Sequence, residues 1–346
     1  MIEDDQTTEG LRSAASTGNL TAMRDLLTTG HISKATATEV LGDAGKKIEV
    51  MRCLLEFGAD ANSIKLRGHE PRELLELMVH FGADLKSQGH MVLHNFADDR
   101  DMLDWLLDHG ADIKRVNRGR TASDFALYPG GYDDSVKVLS NVAAKGDIEL
   151  FDHLVDRGAD PARSLALHYV SKCKDEEKAL SMLSHLLDVH EMDIHADTDD
   201  LRDFFHDAED AGTPLCTAIY RQNLAVVQEL LSRGADPNRY GDSGHPPLSK
   251  AAGDVLNPGF PPALEPLFKA GAEPQIALEC AVRERNVDAA KICLLHGADA
   301  PLGLAIAREV EEARLNDMIS EPTARDERLR QKSDAMIKLL EDWGQA

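Results

Sequence analysis

The chain lacks a cysteine pairing pattern, a long apolar run and any excess of basic residues, and each shortage removes a class of protein. Its five cysteines, Cys53, Cys173, Cys216, Cys280 and Cys293, are odd in number, far apart and without Cys-x-x-Cys spacing. That argues against both a disulfide framework and a zinc site. Cys53 and Cys293 stand beside leucines in helix-like stretches, where a cysteine serves as a small buried hydrophobe. No apolar stretch is long enough to cross a bilayer. The start, Met1-Ile2-Glu3-Asp4-Asp5, is acidic and has no apolar core, so no signal peptide is expected and the expected location is intracellular, cytoplasmic or nuclear. Lys and Arg number 38 against 61 Asp and Glu, a formal charge of −23. As a whole such a molecule repels nucleic acid and anionic membrane, although local patches can differ.

What the chain does have is a recurring phrase, a leucine pair followed by Gly-Ala-Asp. It reads Leu54-Leu55-Glu56-Phe57-Gly58-Ala59-Asp60, then Leu106-Leu107-Asp108-His109-Gly110-Ala111-Asp112, Leu230-Leu231-Ser232-Arg233-Gly234-Ala235-Asp236 and Leu294-Leu295-His296-Gly297-Ala298-Asp299. Looser copies end at Gly30, Gly82, Gly158 and Gly271. Each copy reads as the end of an amphipathic helix, the leucines giving the apolar stripe and the glycine a left-handed residue that stops the helix cheaply. In front of the best copy stands Thr213-Pro214-Leu215-Cys216-Thr217-Ala218, with threonine as cap and proline at the first helical position. A turn at Gln222-Asn223 separates the two helices. The unit is therefore helix, tight turn, helix, loop.

This pattern resembles the ankyrin repeat, whose period is about 33 residues and whose units open on Thr-Pro-Leu-His-x-Ala. The resemblance spans nearly the whole chain. It implies an all-α, ankyrin-type α-solenoid of about ten helix-turn-helix repeats with short or degenerate finger loops and helical caps. Thr121 to Ala126 looks like one further inner-helix start, and Leu186-Leu187 through Asp193 like an outer-helix end. The unit ending at Gly82 is the poorest and reads as having lost most of a helix. Residues 1–300 are expected to form the solenoid and residues 301–346 a helical cap continuous with it, since terminal repeats need a polar outer face.

In this family the loops project as fingers that, with the inner helices, line a concave partner-binding face. Four turns here align on glycine: Arg67-Gly68-His69, Gln88-Gly89-His90, Arg118-Gly119-Arg120 and Ser243-Gly244-His245. His69, His90 and Arg120 then form a row of donors spaced by roughly 10 Å, the helix-layer distance. Such a row, with Arg118 and His245, suits an acidic, carboxylate-rich or phosphorylated segment, arginine offering bidentate contacts and histidine sensitivity near neutral pH. Solvated turn residues are the plainer account of the same pattern. A second candidate place is the inner-helix end, held by Tyr220 and Arg221 in the best unit, residue types that often carry interface energy. Equivalent places hold Ala144 and Lys145, Arg283 and Glu284, and Asp98 and Asp99.

Several motifs lead nowhere. Gly241-Asp242-Ser243-Gly244-His245-Pro246 echoes the nucleophile loop of trypsin-like serine proteases, but the chain has no strand-rich barrel pattern to position a triad. His90 and His94 have metal-ligand spacing, yet one reads as a turn residue and the other fills the family's Leu-His position, as does His168, where the ring ties adjacent loops together. The acidic run from Asp193 to Asp210 has no glycine where an EF-hand loop needs one. No cofactor and no metal is expected.

The function expected is a protein- or peptide-binding scaffold recognising a partner along its concave finger and inner-helix face, through His69, His90, Arg118, Arg120, Tyr220, Arg221 and His245. One alternative is an enzyme using the groove for a small molecule, with His69, His90 or Arg120 and Asp98 as acid-base groups. Another is an oligomeric structural spacer. The sequence identifies no catalytic motif, no nucleic-acid or membrane partner and no oligomeric state.

Overall fold

The computed structural model describes residues 5–29, 32–45, 47–66, 70–114, 136–197, 212–239, 246–253, 259–317 and 324–345. Among these residues every regular element is helical. The chain divides into two compact units, one formed by residues 1–139 with 156–159 and the other by residues 140–155 with 160–346. The sequence candidates His69, Arg118, Arg120 and His245, the Thr121 to Ala126 segment and most of the acidic run lie outside the described residues.

The first unit opens with two helix pairs, α1 (Asp5–Thr17) with α2 (Leu20–Thr28) and α3 (Lys34–Asp43) with α4 (Ile48–Phe57). The turn inside the first pair follows from two neighbouring residues. Gly18 takes a left-handed φ of 78°, and the Asn19 side chain accepts the Ala22 N–H at 3.1 Å to cap α2. After α4 the inner helices shrink. The unit ending at Gly82 keeps its outer helix, α5 (Arg72–His80), but in front of it only a 3-10 turn, Ala61–Ser63, is described. The next unit replaces its inner helix by a 3-10 stretch, Gly89–Phe96, before α6 (Arg100–Asp108). Spacing explains this: the glycines at 58, 82 and 110 stand closer together than the full repeat of about 33 residues needs for two helices.

The second unit takes in most of α7 (Val136–Lys145) and α8 (Ile148–Asp156), then the short α9 (Ala166–Tyr169), which runs on as a 3-10 turn, and α10 (Glu176–Asp188). Next come α11 (Pro214–Tyr220) with α12 (Leu224–Ser232), α13 (Pro247–Ala252) with α14 (Leu264–Lys269), and α15 (Pro274–Arg283) with α16 (Val287–Leu295). Two long helices, α17 (Ala300–Asp317) and α18 (Ala324–Gly344), pack against each other at the end.

The recurring phrase does what its chemistry demands. Behind Leu230 the chain closes with Gly234 N–H to the Leu231 carbonyl at 3.1 Å and Ala235 N–H to the Leu230 carbonyl at 3.0 Å, the paired bonds that satisfy the last carbonyls of a helix. The first leucine is the core residue, with Leu54, Leu106 and Leu230 fully buried. At the last copy the register differs from the one the leucines indicate. Ala298 N–H bonds the Cys293 carbonyl, so Cys293 and Leu294 hold the buried positions and Leu295 is left 72% exposed. Cysteine serving as a small hydrophobe disguises the match.

The loops form a ladder between repeats. Each loop aspartate turns its own chain, as Asp84 Oδ1 does for Lys86 N–H (2.9 Å) and Asp236 Oδ1 for Asn238 N–H (2.9 Å). The residue two places further on then reaches the next repeat: Asn62 accepts Asp84 N–H (2.8 Å), His195 accepts Asp236 N–H (3.0 Å), and Asn238 donates to the Gly271 carbonyl (3.2 Å). These are compact Asx-type turns. Projecting β-fingers do not occur among the described residues.

Candidate functional site

His90, expected on a finger turn, is instead 2% exposed. Gly89 N–H donates to the Leu85 carbonyl (2.7 Å) and the Gln88 amide holds Ile64 and Leu66 (both 2.9 Å), so the chain enters its 3-10 stretch directly. Val92 and Leu93 are buried there and draw the histidine inward with them. Its side chain is covered rather than set on an exposed turn. His168 behaves as its Leu-His position implies, fully covered and with Nε2 3.0 Å from the Gly212 carbonyl of the next loop.

Tyr220 and Arg221 stand at the tip of α11, half-buried. The local sequence fixes that tip. Thr213 Oγ1 accepts Cys216 N–H at 3.4 Å, with Pro214 at the first position. Arg221 N–H closes on the Thr217 carbonyl (2.9 Å), and Gln222 turns the chain with a left-handed φ of 58°. Asn223 caps α12 through Val226 N–H (3.2 Å), and its amide also donates to the Ser171 carbonyl of the preceding repeat (3.3 Å). Two successive inner tips are thereby held together.

Between them lies an open cavity of about 590 Å³, lined by Ser171, Lys172, Cys173, Lys174, Glu176, Arg221, Gln222, Asn223, Leu224 and Ala225. The lining includes three cations, Lys172, Lys174 and Arg221, and one carboxylate, Glu176, so this groove is locally basic in a molecule of formal charge −23. Two of these cations lie against aromatic faces: Lys172 Nζ is 3.3 Å from the Tyr169 ring centre and the Arg221 guanidinium 5.4 Å from that of Tyr220. Each such contact is worth roughly 0.5–1 kcal/mol at an exposed site. Sequence reasoning found Arg221 but missed Lys172 and Lys174. They occupy the same inner-tip position, but α9 is four residues long and its end is hard to recognise.

Three of the buried or partly buried cysteines have thiols with raised pKa values. Burial pushes the Cys53 and Cys216 thiols up, and that of Cys293 up to about 12, so none of these three is a thiolate at neutral pH. A different cluster has the spacing of metal ligands. Asp152 Oδ1 lies 2.7 Å from His185 Nε2 and 2.8 Å from His190 Nε2. Burial works against the Asp152 charge, yet the bonds from His185 and His190 outweigh it and hold the carboxyl below its ordinary range.

The helix pairs, the left-handed turn residues and the loop ladder define the class, an all-α stack of ankyrin-type repeats. Residues 212–242 match the family model of the ankyrin repeat, so the unit built on α11 and α12 is an ankyrin repeat in sequence as well as in form. Among solved structures, the crystal structure of the human ASB11 ankyrin repeat domain is similar at 15% identity, over 74% of this chain and 96% of that one, with a TM-score of 0.28. No curated protein matches the chain in sequence. No helix among the described residues is long and apolar enough to cross a membrane.

Proposed function

We propose that this chain is a protein-binding scaffold whose second unit receives an acidic, carboxylate-rich or phosphorylated segment across its inner-helix tips. The observation that carries this is the open cavity whose lining has three cations, Lys172, Lys174 and Arg221, against one carboxylate, Glu176. Ankyrin repeats generally serve protein–protein contact, and an overall acidic molecule that concentrates cations in one groove favours an anionic occupant there. Tyr220 adds amphipathic area beside the cations. Lys145 ends α7, the inner helix before α9, and adds a further cation on that side. By residue type alone, His69, Arg118, Arg120 and His245 are proposed from the sequence as separate candidate donors for such a segment.

The test is fluorescence anisotropy of a labelled glutamate-rich peptide, with its phosphoserine counterpart, against the full chain. Binding should weaken as salt is raised and fall about tenfold or more in the Lys172→Ala, Lys174→Ala, Arg221→Ala triple variant, which removes three charge-assisted contacts. Equal affinity for the triple variant and the parent would refute the assignment.

A further inference from the structure

The last turns of the outer helices form joints between successive repeats. Arg233, just before Gly234, reaches back to α10, with Nη1 2.7 Å from Asp188 Oδ1 and Nη2 2.8 Å from the Ser184 hydroxyl. His296, just before Gly297, meets Glu265 at 3.3 Å. The joint between α8 and α10 is built otherwise. Two imidazoles, His185 and His190, converge through Nε2 on a single oxygen of Asp152, and the three potential ligand atoms lie within 4.8 Å of one another. The rings stand edge to face with centres 5.0 Å apart, and Phe151 walls off His190 at 5.2 Å.

The backbone is adapted to this arrangement. Elsewhere the loop closes from the alanine N–H to a carbonyl five residues back, as between Ala235 and Leu230; here Met192 N–H reaches Leu186, six back. One residue has been added, and Glu191 rather than glycine takes the left-handed conformation, at a φ of 50°. A non-glycine residue there costs free energy. The added residue brings the His190 ring back onto Asp152.

We propose that Asp152, His185 and His190 form a binding site for a divalent first-row transition ion such as zinc, joining the outer helices of two successive repeats. Two imidazole nitrogens and one carboxylate oxygen suit zinc, cobalt or nickel, whereas calcium and magnesium demand shells made of oxygen. Ligand distances of about 2.0–2.2 Å in a tetrahedral shell around zinc require each imidazole nitrogen to retreat by about 0.6 Å from the carboxylate oxygen. Each ring then presents the Nε2 lone pair and carries its proton on Nδ1. The rings are largely covered, at 16% and 13% side-chain exposure, while the carboxylate is 44% exposed. An ion can enter on that side, and water completes the coordination.

The test uses the full chain stripped with a chelator, then titrated calorimetrically with zinc chloride and, separately, magnesium chloride. One equivalent of zinc is expected to bind and to raise the melting temperature, with magnesium inert. His190→Gln and Asp152→Asn should each weaken zinc binding about tenfold or more. Absent zinc binding by the parent, or equal binding by both variants, overturns the proposal. Should either variant unfold, the cobalt-loaded parent decides: an absorption spectrum without a thiolate charge-transfer band supports the site, and a spectrum with one assigns the ion to cysteine and overturns it.

Discussion

Two glycines of the second unit separate the cost of backbone conformation from the cost of space. Gly234 has a φ of 91°, and a Cβ added there would meet no heavy atom within 4 Å. Gly234→Ala therefore tests the left-handed conformation alone, about 1–2 kcal/mol, offset by the reduced freedom of the unfolded chain, about 0.4–1 kcal/mol. A net loss of about 1 kcal/mol follows. Gly259 has a similar φ of 85°, but a Cβ there would lie 2.6 Å from the Gly253 nitrogen and 2.8 Å from both the Ala251 oxygen and the Ala252 carbonyl carbon. All three are backbone atoms at the end of α13, and the Ala251 oxygen also accepts Phe260 N–H at 2.8 Å. No side chain can rotate away, so an overpacking cost of about 1–3 kcal/mol adds to the conformational one. Gly259→Ala should thus cost about 2–4 kcal/mol. Urea unfolding followed by circular dichroism at matched slopes reads the difference. A Gly259→Ala variant no less stable than Gly234→Ala would refute the close approach.

Other expectations follow from the same packing. Leu230 is fully buried, and Leu230→Ala should cost about 2–5 kcal/mol through a cavity shared with the neighbouring repeat, read as a lowered urea midpoint. Near the end of the chain, Arg314 donates to both oxygens of Glu311 at 2.5–3.0 Å; this bond, over the opposing effect of burial and with help from Ser333, holds the Glu311 carboxyl below its usual range. A depressed folded-state pKa gives stability that is present above the unfolded value of about 4.3 and lost as pH falls through the folded one. Acid unfolding of Glu311→Gln should accordingly begin from a lower neutral-pH stability and fall less steeply below that pH; parallel curves would show that the pair contributes nothing.

Much of the architecture was legible because its determinants are local. The glycine that stops an outer helix, Thr213-Pro214 at the start of α11 and the turn at Gln222-Asn223 all act within a few residues, so they appear as phrases in the sequence. Properties that depend on how much chain is left between two phrases were harder to read. The shortened spacing around Gly82 showed that a helix was missing, but not that His90 would be drawn into the core with Val92 and Leu93. The joint at Asp152 was not legible at all. Its partners lie 33 and 38 residues away, and the added residue before Asp193 has meaning only once the loop is folded.

The repeat also explains why the two candidate sites fall where they do. At three joints the residue that precedes the loop glycine pairs with an acid of the preceding outer helix: Arg157 with Asp104 and Asp108, Arg233 with Asp188, His296 with Glu265. Its identity is therefore tied to a neighbour within the protein. The residue that ends an inner helix faces no such demand from the outer layer, and at Lys172 and Arg221 it opens onto the cavity. Charge at the outer joint answers the protein's own acids, so a change there is paid in stability or, at Asp152, in the proposed ion. Charge at the inner tip answers no such pair in the outer layer, which is why the proposed partner segment is assigned there.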